Sequence, residues 1–122
     1  MFNLFLILAL VFTITAYDDS SGIGITASGT QTREGICACG PTYPFGTIFY
    51  VEGVGRFVCQ DRGGLVTDDN IDIWLPSYQE AMEFGIRQAE VTAWIPIGVM
   101  TEKDKFSDFT HEADRLWTIL TR

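Results

Sequence analysis

Basic residues are scarce in this chain, and those present are scattered. Eight lysines and arginines stand against 16 acids, for a formal net charge of −8. No Lys/Arg cluster occurs, which argues against a phosphate-tracking surface, so nucleic acid is not an expected partner. Histidine occurs once, at His111, and cysteine three times, at Cys37, Cys39 and Cys59. A CxC pair with no second Cys/His pair lacks the ligand spacing of a structural zinc site. No metal is expected, and no motif points to a cofactor. Internal repeats and low-complexity linkers are absent as well.

What is present suits one globular domain. The 122 residues are 47% hydrophobic and 20% charged, enough for a single core and too few for two. Residues 1–16, "MFNLFLILALVFTITA", carry no charged side chain. That run is short for a membrane-spanning helix, which needs roughly 20 apolar residues. It has the length of a signal-peptide core ending at the small residue Ala16, although no Lys or Arg precedes it. Residues 1–12 are therefore assigned to an apolar leader, signal peptide or anchor, and the protein is expected to be secreted or associated with the cell envelope. Membrane contact is expected only through that leader, if it stays uncleaved. In an exported chain, three cysteines imply one disulfide and one thiol left over.

From Thr13 to Val99 the chain reads as β-structure. The runs 13–17, 22–29, 35–40, 47–53, 55–61, 71–75 and 89–97 are rich in Val, Ile, Thr and aromatics and are punctuated by Gly and Pro. One helix interrupts them over "PSYQEAMEFGIRQA", where Ser77 and Glu80 form a capping box, Ala81 and Phe84 an apolar face, and Gly85 a C-terminal stop. A second amphipathic helix is predicted within residues 100–122. Its stripe of Phe106, Phe109, Ala113, Leu116, Trp117 and Leu120 is expected to pack on the domain. The whole reads as a small β-barrel over residues 13–99 with an inserted helix and a C-terminal one.

The acids of "FVCQDRGGLVTDDNIDIW" are the candidate chemistry. Strand alternation sets Ile71, Ile73 and Leu75 on one face and Asp72 with Trp74 on the other. A half-buried carboxyl beside an aromatic, with another acid nearby, has a raised pKa and suits general acid catalysis. The competing reading is that Asp72 bonds the Gly63-Gly64 turn, since short side chains most often serve local backbone groups.

The ordered segments "TAY", "GITASGT", "GICACG", "YPFGTIFYVEG", "VCQDRGGL" and "NIDIWLPSYQEAMEFG" resemble the 3D-domain family, named for three aspartates. The likeness runs from about Thr15 to Ile95. It implies a six-stranded double-psi β-barrel, similar to the catalytic barrel of MltA-type lytic transglycosylases and to that of expansins. It further implies peptidoglycan glycan strands as partner and cleavage of the MurNAc–GlcNAc bond with a 1,6-anhydro product. Asp72 then matches the family's catalytic acid and Asp61 its partner aspartate. Trp74, Thr26, Ser28, Gly63 and Gly64 are the candidate substrate contacts. The first of the three aspartates is replaced by Cys39, and a Cys39–Cys59 bridge is the expected pairing, with Cys37–Cys59 its competitor. The alternative function is a non-catalytic wall- or glycan-binding module on an expansin-like barrel; a third is a small secreted or virion structural protein that keeps the barrel alone. The oligomeric state stays open.

Overall fold

A computed structural model describes residues 4–20, 22–97 and 114–121. Six strands and two helices make up the described fold. In chain order they are β1 Phe5–Tyr17, β2 Ile36–Ala38, β3 Ile48–Val51, β4 Gly55–Asp61, β5 Asn70–Trp74, α1 Tyr78–Phe84 and β6 Arg87–Pro96, followed by α2 over residues 114–120. The strands close into a barrel in the order β1-β5-β2-β4-β3-β6. β1 with β5 and β2 with β4 run parallel. The remaining neighbours run antiparallel.

β1 is the longest strand and serves two partners. Its span from Phe5 to Ile14 pairs with β6, and its span from Thr13 to Tyr17 pairs with β5. Residues 5–12, read from sequence as part of a leader, are thus strand here. The physical reason is the partner: β6 is ten residues long, and its backbone groups need pairing as far as Pro96. Alternation then buries Phe12 and Ile14 while Ile7 and Val11 stay exposed.

Alternation also sorts the other strands. Ile14, Phe49, Val51, Phe57, Ile71, Ile73, Val91 and Ala93 form the interior cluster. On the outer side of β3, β4 and β6, Ile48, Val58 and Trp94 form a second one, joined by Phe5, Tyr50, Leu116 and Trp117. Leu116 and Trp117 of α2 therefore dock as the stripe predicts, whereas Leu120 remains exposed. Phe106, Phe109 and Ala113 lie outside the described residues.

One expected strand is missing. Residues 22–29 form a loop with only a single bridge, between Ile25 and Gln31. Its apolar residues have no sheet face to cover: Ile23 is 87% exposed and Ile25 48%. Gly24 and Gly29 turn the chain with positive φ, a conformation that favours glycine. α1 is capped as its sequence indicates. The Ser77 hydroxyl oxygen accepts from the Glu80 amide at 3.1 Å, and Gly85 closes the helix with φ 67°. It is shorter than the sequence suggests, because β6 already begins at Arg87.

Candidate active site

β5 presents its residues as alternation requires. Ile71 and Ile73 are buried in the interior, and Asp72 and Trp74 lie half-buried on the outer face. On one side Asp72 is opposite Thr15 of β1, and on the other it is opposite Ala38 of β2. Ala38 in turn is opposite Asp61 of β4. A single row across the outer barrel face thus reads Thr15, Asp72, Ala38, Asp61.

Asp61 reaches that row because of a β-bulge. The pairing runs Ile36 to Val58, then Cys37 to Cys59, and then slips so that Ala38 meets Asp61 and not Gln60. Strict alternation would keep Asp61 in phase with the interior residues Phe57 and Cys59. One extra residue on β4 turns it to the outer face, the usual effect of a bulge on side-chain direction.

The two carboxylates have unequal surroundings. Asp61 accepts three hydrogen bonds: the Tyr17 hydroxyl donates to Oδ2 at 2.8 Å, and the amides of Ala27 and Arg62 donate to Oδ1 at 2.8 and 2.9 Å. Three donors anchor this carboxylate in one orientation. Among the described residues Asp72 accepts one, from the Thr15 hydroxyl to Oδ1 at 2.9 Å. Burial pushes the Asp72 carboxyl above its usual range and the charge of Asp61 pushes the same way, against a lowering effect from Thr15. Tyr17 is driven strongly upward, first by burial and then by its bond to Asp61, so it stays a neutral donor. No bond joins Asp72 to the Gly63-Gly64 turn; the local backbone role falls to Asp61.

Residues 38–96 match the 3D domain family. They are a 3D domain. The cell wall-binding protein YocH of Bacillus subtilis (strain 168) is 33% identical over 89 residues, covering 67% of this chain and 31% of YocH. The chain thus spans about a third of that relative's length. Asp61, Asp72 and Trp74 lie inside the matched 3D domain, whereas the two hydroxyls that serve the carboxylates, on Thr15 and Tyr17, come from β1 ahead of it.

The 3D domain carries a disulfide between Cys39 and Cys59, 20 residues apart. Both sulfurs belong to the buried interior cluster. The Arg62 guanidinium lies on this bridge, donating to Cys39 Sγ at 2.9 Å and to the Tyr43 carbonyl at 2.7 Å, with its plane over Phe45. Cys37 is the free thiol, fully buried, and burial raises its pKa far above the usual thiol range. It is therefore a packing residue and not a nucleophile.

The remaining sequence candidates are placed around the 3D domain with mixed results. Trp74 is half-buried on the acid face, with its indole N–H donating to Asp19 at 3.0 Å, so its ring orientation is fixed. Thr26 is 4% exposed, and its hydroxyl is engaged with Ser28 and Thr30. Thr30 continues the chain to Gln60, which also accepts from Arg33. Thr26 and Ser28 thus belong to a network that fastens the 18–34 loop over β4. Gly63 and Gly64 form a tight turn closed by the Val66 amide on the Gly63 carbonyl, and a Cβ on Gly63 would meet Val66 at 2.8 Å. Among the described residues no group of three His, Cys, Asp or Glu side chains is placed to hold a metal ion. A cavity of about 520 Å³, whose lining includes neither Asp61 nor Asp72, lies between the β3–β4 hairpin, β6 and α2. The carboxylate geometry, and not that hollow, directs the chemical reading.

Sequence reasoning missed Thr15 and Tyr17. Their signal was legible, since "TITAY" alternates polar and apolar residues and sets both hydroxyls on one face.

Proposed function

We propose that this protein acts on the glycan strand of peptidoglycan as a lytic transglycosylase, with Asp72 as its single acid/base. The observation that carries this reading is the inequality of the carboxylate pair: Asp61 is saturated with donors, while Asp72 has one donor and a raised pKa. A carboxyl of raised proton affinity beside one anchored by several donors marks the acid and its partner.

In this reading protonated Asp72 donates its proton to the glycosidic oxygen between MurNAc and GlcNAc as the C1–oxygen bond breaks. The resulting carboxylate then takes the proton of the muramyl 6-hydroxyl as that oxygen closes on C1. The products are a free 4-hydroxyl and a 1,6-anhydro sugar, and Asp72 regains the proton it began with. No second carboxylate nucleophile is needed, unlike the usual retaining glycosidase scheme. Asp61 serves as a fixed negative charge, favouring the neutral form of Asp72 and the positive charge that develops at C1. The ring of Trp74, held by Asp19, offers a face on which a sugar stacks.

A binding module is the second reading. It is favoured by the likeness to YocH, a cell wall-binding protein, and by the replacement of the first aspartate with Cys39. Mass spectrometry of purified peptidoglycan after incubation decides between them. Anhydro-muropeptides are expected. Reducing-end products would point to plain hydrolysis, and sedimentation of the protein with intact walls without any release would leave only binding.

A further inference from the structure

We propose that Thr15 is a positioning residue of this site: its hydroxyl fixes Oδ1 of Asp72 and leaves Oδ2 as the oxygen that carries the proton to and from the sugar. The inference rests on the reading of Asp72 as acid/base. It starts from an asymmetry within one carboxyl group. Oδ1 accepts from Thr15 at 2.9 Å, and Oδ2 has no hydrogen bond among the described residues. Thr15 is directly opposite Asp72 in the β1–β5 pairing, so the bond spans neighbouring strands and sits on rigid backbone. Its strand neighbour on the same face, Tyr17, holds Asp61. β1 thus supplies one hydroxyl to each carboxylate, two residues apart, matching the period of the strand.

The two hydroxyls do different work. Tyr17 joins two amides on Asp61, so its loss leaves that carboxylate with donors. Among the described residues Thr15 is the only donor on Asp72, so its loss frees the carboxyl to rotate and removes the interaction that favours the ionised form. The titratable groups around Asp72 are Asp61 on β4, Tyr17 on β1 and Cys37 on β2; the last two are held neutral by burial. The nearby cation, Arg62, is spent on the disulfide and the Tyr43 carbonyl. None of these replaces the Thr15 bond.

The test uses Thr15→Val and Thr15→Ser in the full chain. Thr15→Val keeps the branched shape and removes the hydroxyl; Thr15→Ser keeps the hydroxyl. Two measurements are made: the pH dependence of anhydro-muropeptide release, and direct titration of the Asp72 carboxyl by carbon NMR. For Thr15→Val the expected results are an upward shift of the Asp72 titration and of the alkaline limb of the pH profile. They include a fall of about tenfold in kcat, the worth of one hydrogen bond to a charged group, with KM little changed. Thr15→Ser is expected to restore all of these. An Asp72 titration identical in wild type and Thr15→Val, in a folded variant, overturns the proposal. If the wild type releases no anhydro product, the catalytic reading fails, and the NMR titration still decides whether Thr15 governs the proton on Asp72.

Discussion

The barrel has two contrasting outer faces. Across β1, β5, β2 and β4 the outward residues are Thr15, Tyr17, Asp72, Trp74, Ala38 and Asp61, linked by hydrogen bonds to one another and to the loop above. Across β3, β4 and β6 they are Ile48, Tyr50, Val58 and Trp94, covered by α2. There Trp117 stacks on Tyr50 at 4.6 Å between centroids and meets Trp94 edge-on. Asp114 anchors the helix, accepting from the Tyr50 hydroxyl at 3.0 Å and pairing with Arg56 at 3.1 Å. The same interior supports both faces. One spends its outward positions on burying aromatic area, which stabilises. The other spends them on half-buried carboxyls, which cost stability.

Substitutions on either face sharpen that contrast. The largest effect is expected at the acid face: Asp72→Asn should lower release of anhydro-muropeptides by about 10²–10⁴-fold, the usual worth of a positioned general acid/base, with folding intact. Activity within a few-fold of wild type in that assay breaks the assignment. Next comes the bridge beneath that face. Replacing Cys39 and Cys59 together by Ser should cost about 3 kcal/mol in chemical denaturation, from the loop entropy restored to the unfolded chain. On the aromatic face, Trp117→Ala should cost about 1–3 kcal/mol, less than a central core aromatic because α2 is peripheral. Its release of wall fragments should match wild type. A loss of activity with an unchanged denaturation midpoint would show that the two faces do not divide labour in this way.

The smallest effect is a pH signature. The folded-state pKa of Asp72 is raised above its unfolded value, so the folded protein favours the protonated form. The associated stability is fully present below about pH 3.9, the unfolded reference, and is lost as pH rises through the folded pKa. At neutral pH the wild type therefore carries a penalty that Asp72→Asn lacks. Denaturation should find the variant more stable than wild type at pH 7, with the gain vanishing at pH 3. A gain that is the same at both values would trace to packing and not to ionisation.

Most of the barrel was legible in the sequence because its strands alternate strongly and its turns carry glycine. β5 and its outward Asp72 follow directly from "NIDIW", and the α1 cap from Ser77 and Glu80. The 22–29 segment misled because its alternation has the strand period without a neighbour to pair with; Ile23 and Ile25 look like core residues and are exposed. Asp61 was found only through family likeness. Period-two reasoning sends it inward with Cys59, and a one-residue bulge is invisible to periodicity. Thr26 and Ser28 are polar residues of a motif near the site, and sequence alone does not say whether their hydroxyls are free. Only the contacts of the 18–34 loop reveal that Thr26 and Ser28 serve each other and Thr30.

Ala38 has no polar side-chain atom, yet it stands between the two carboxylates in the sheet and is 3% exposed. Its methyl group is the ruler of the site. A larger side chain there would push Asp61 and Asp72 apart and weaken the repulsion that, after burial, raises the Asp72 carboxyl. The proton affinity of Asp72 thus depends in part on volume at a position with no charge of its own.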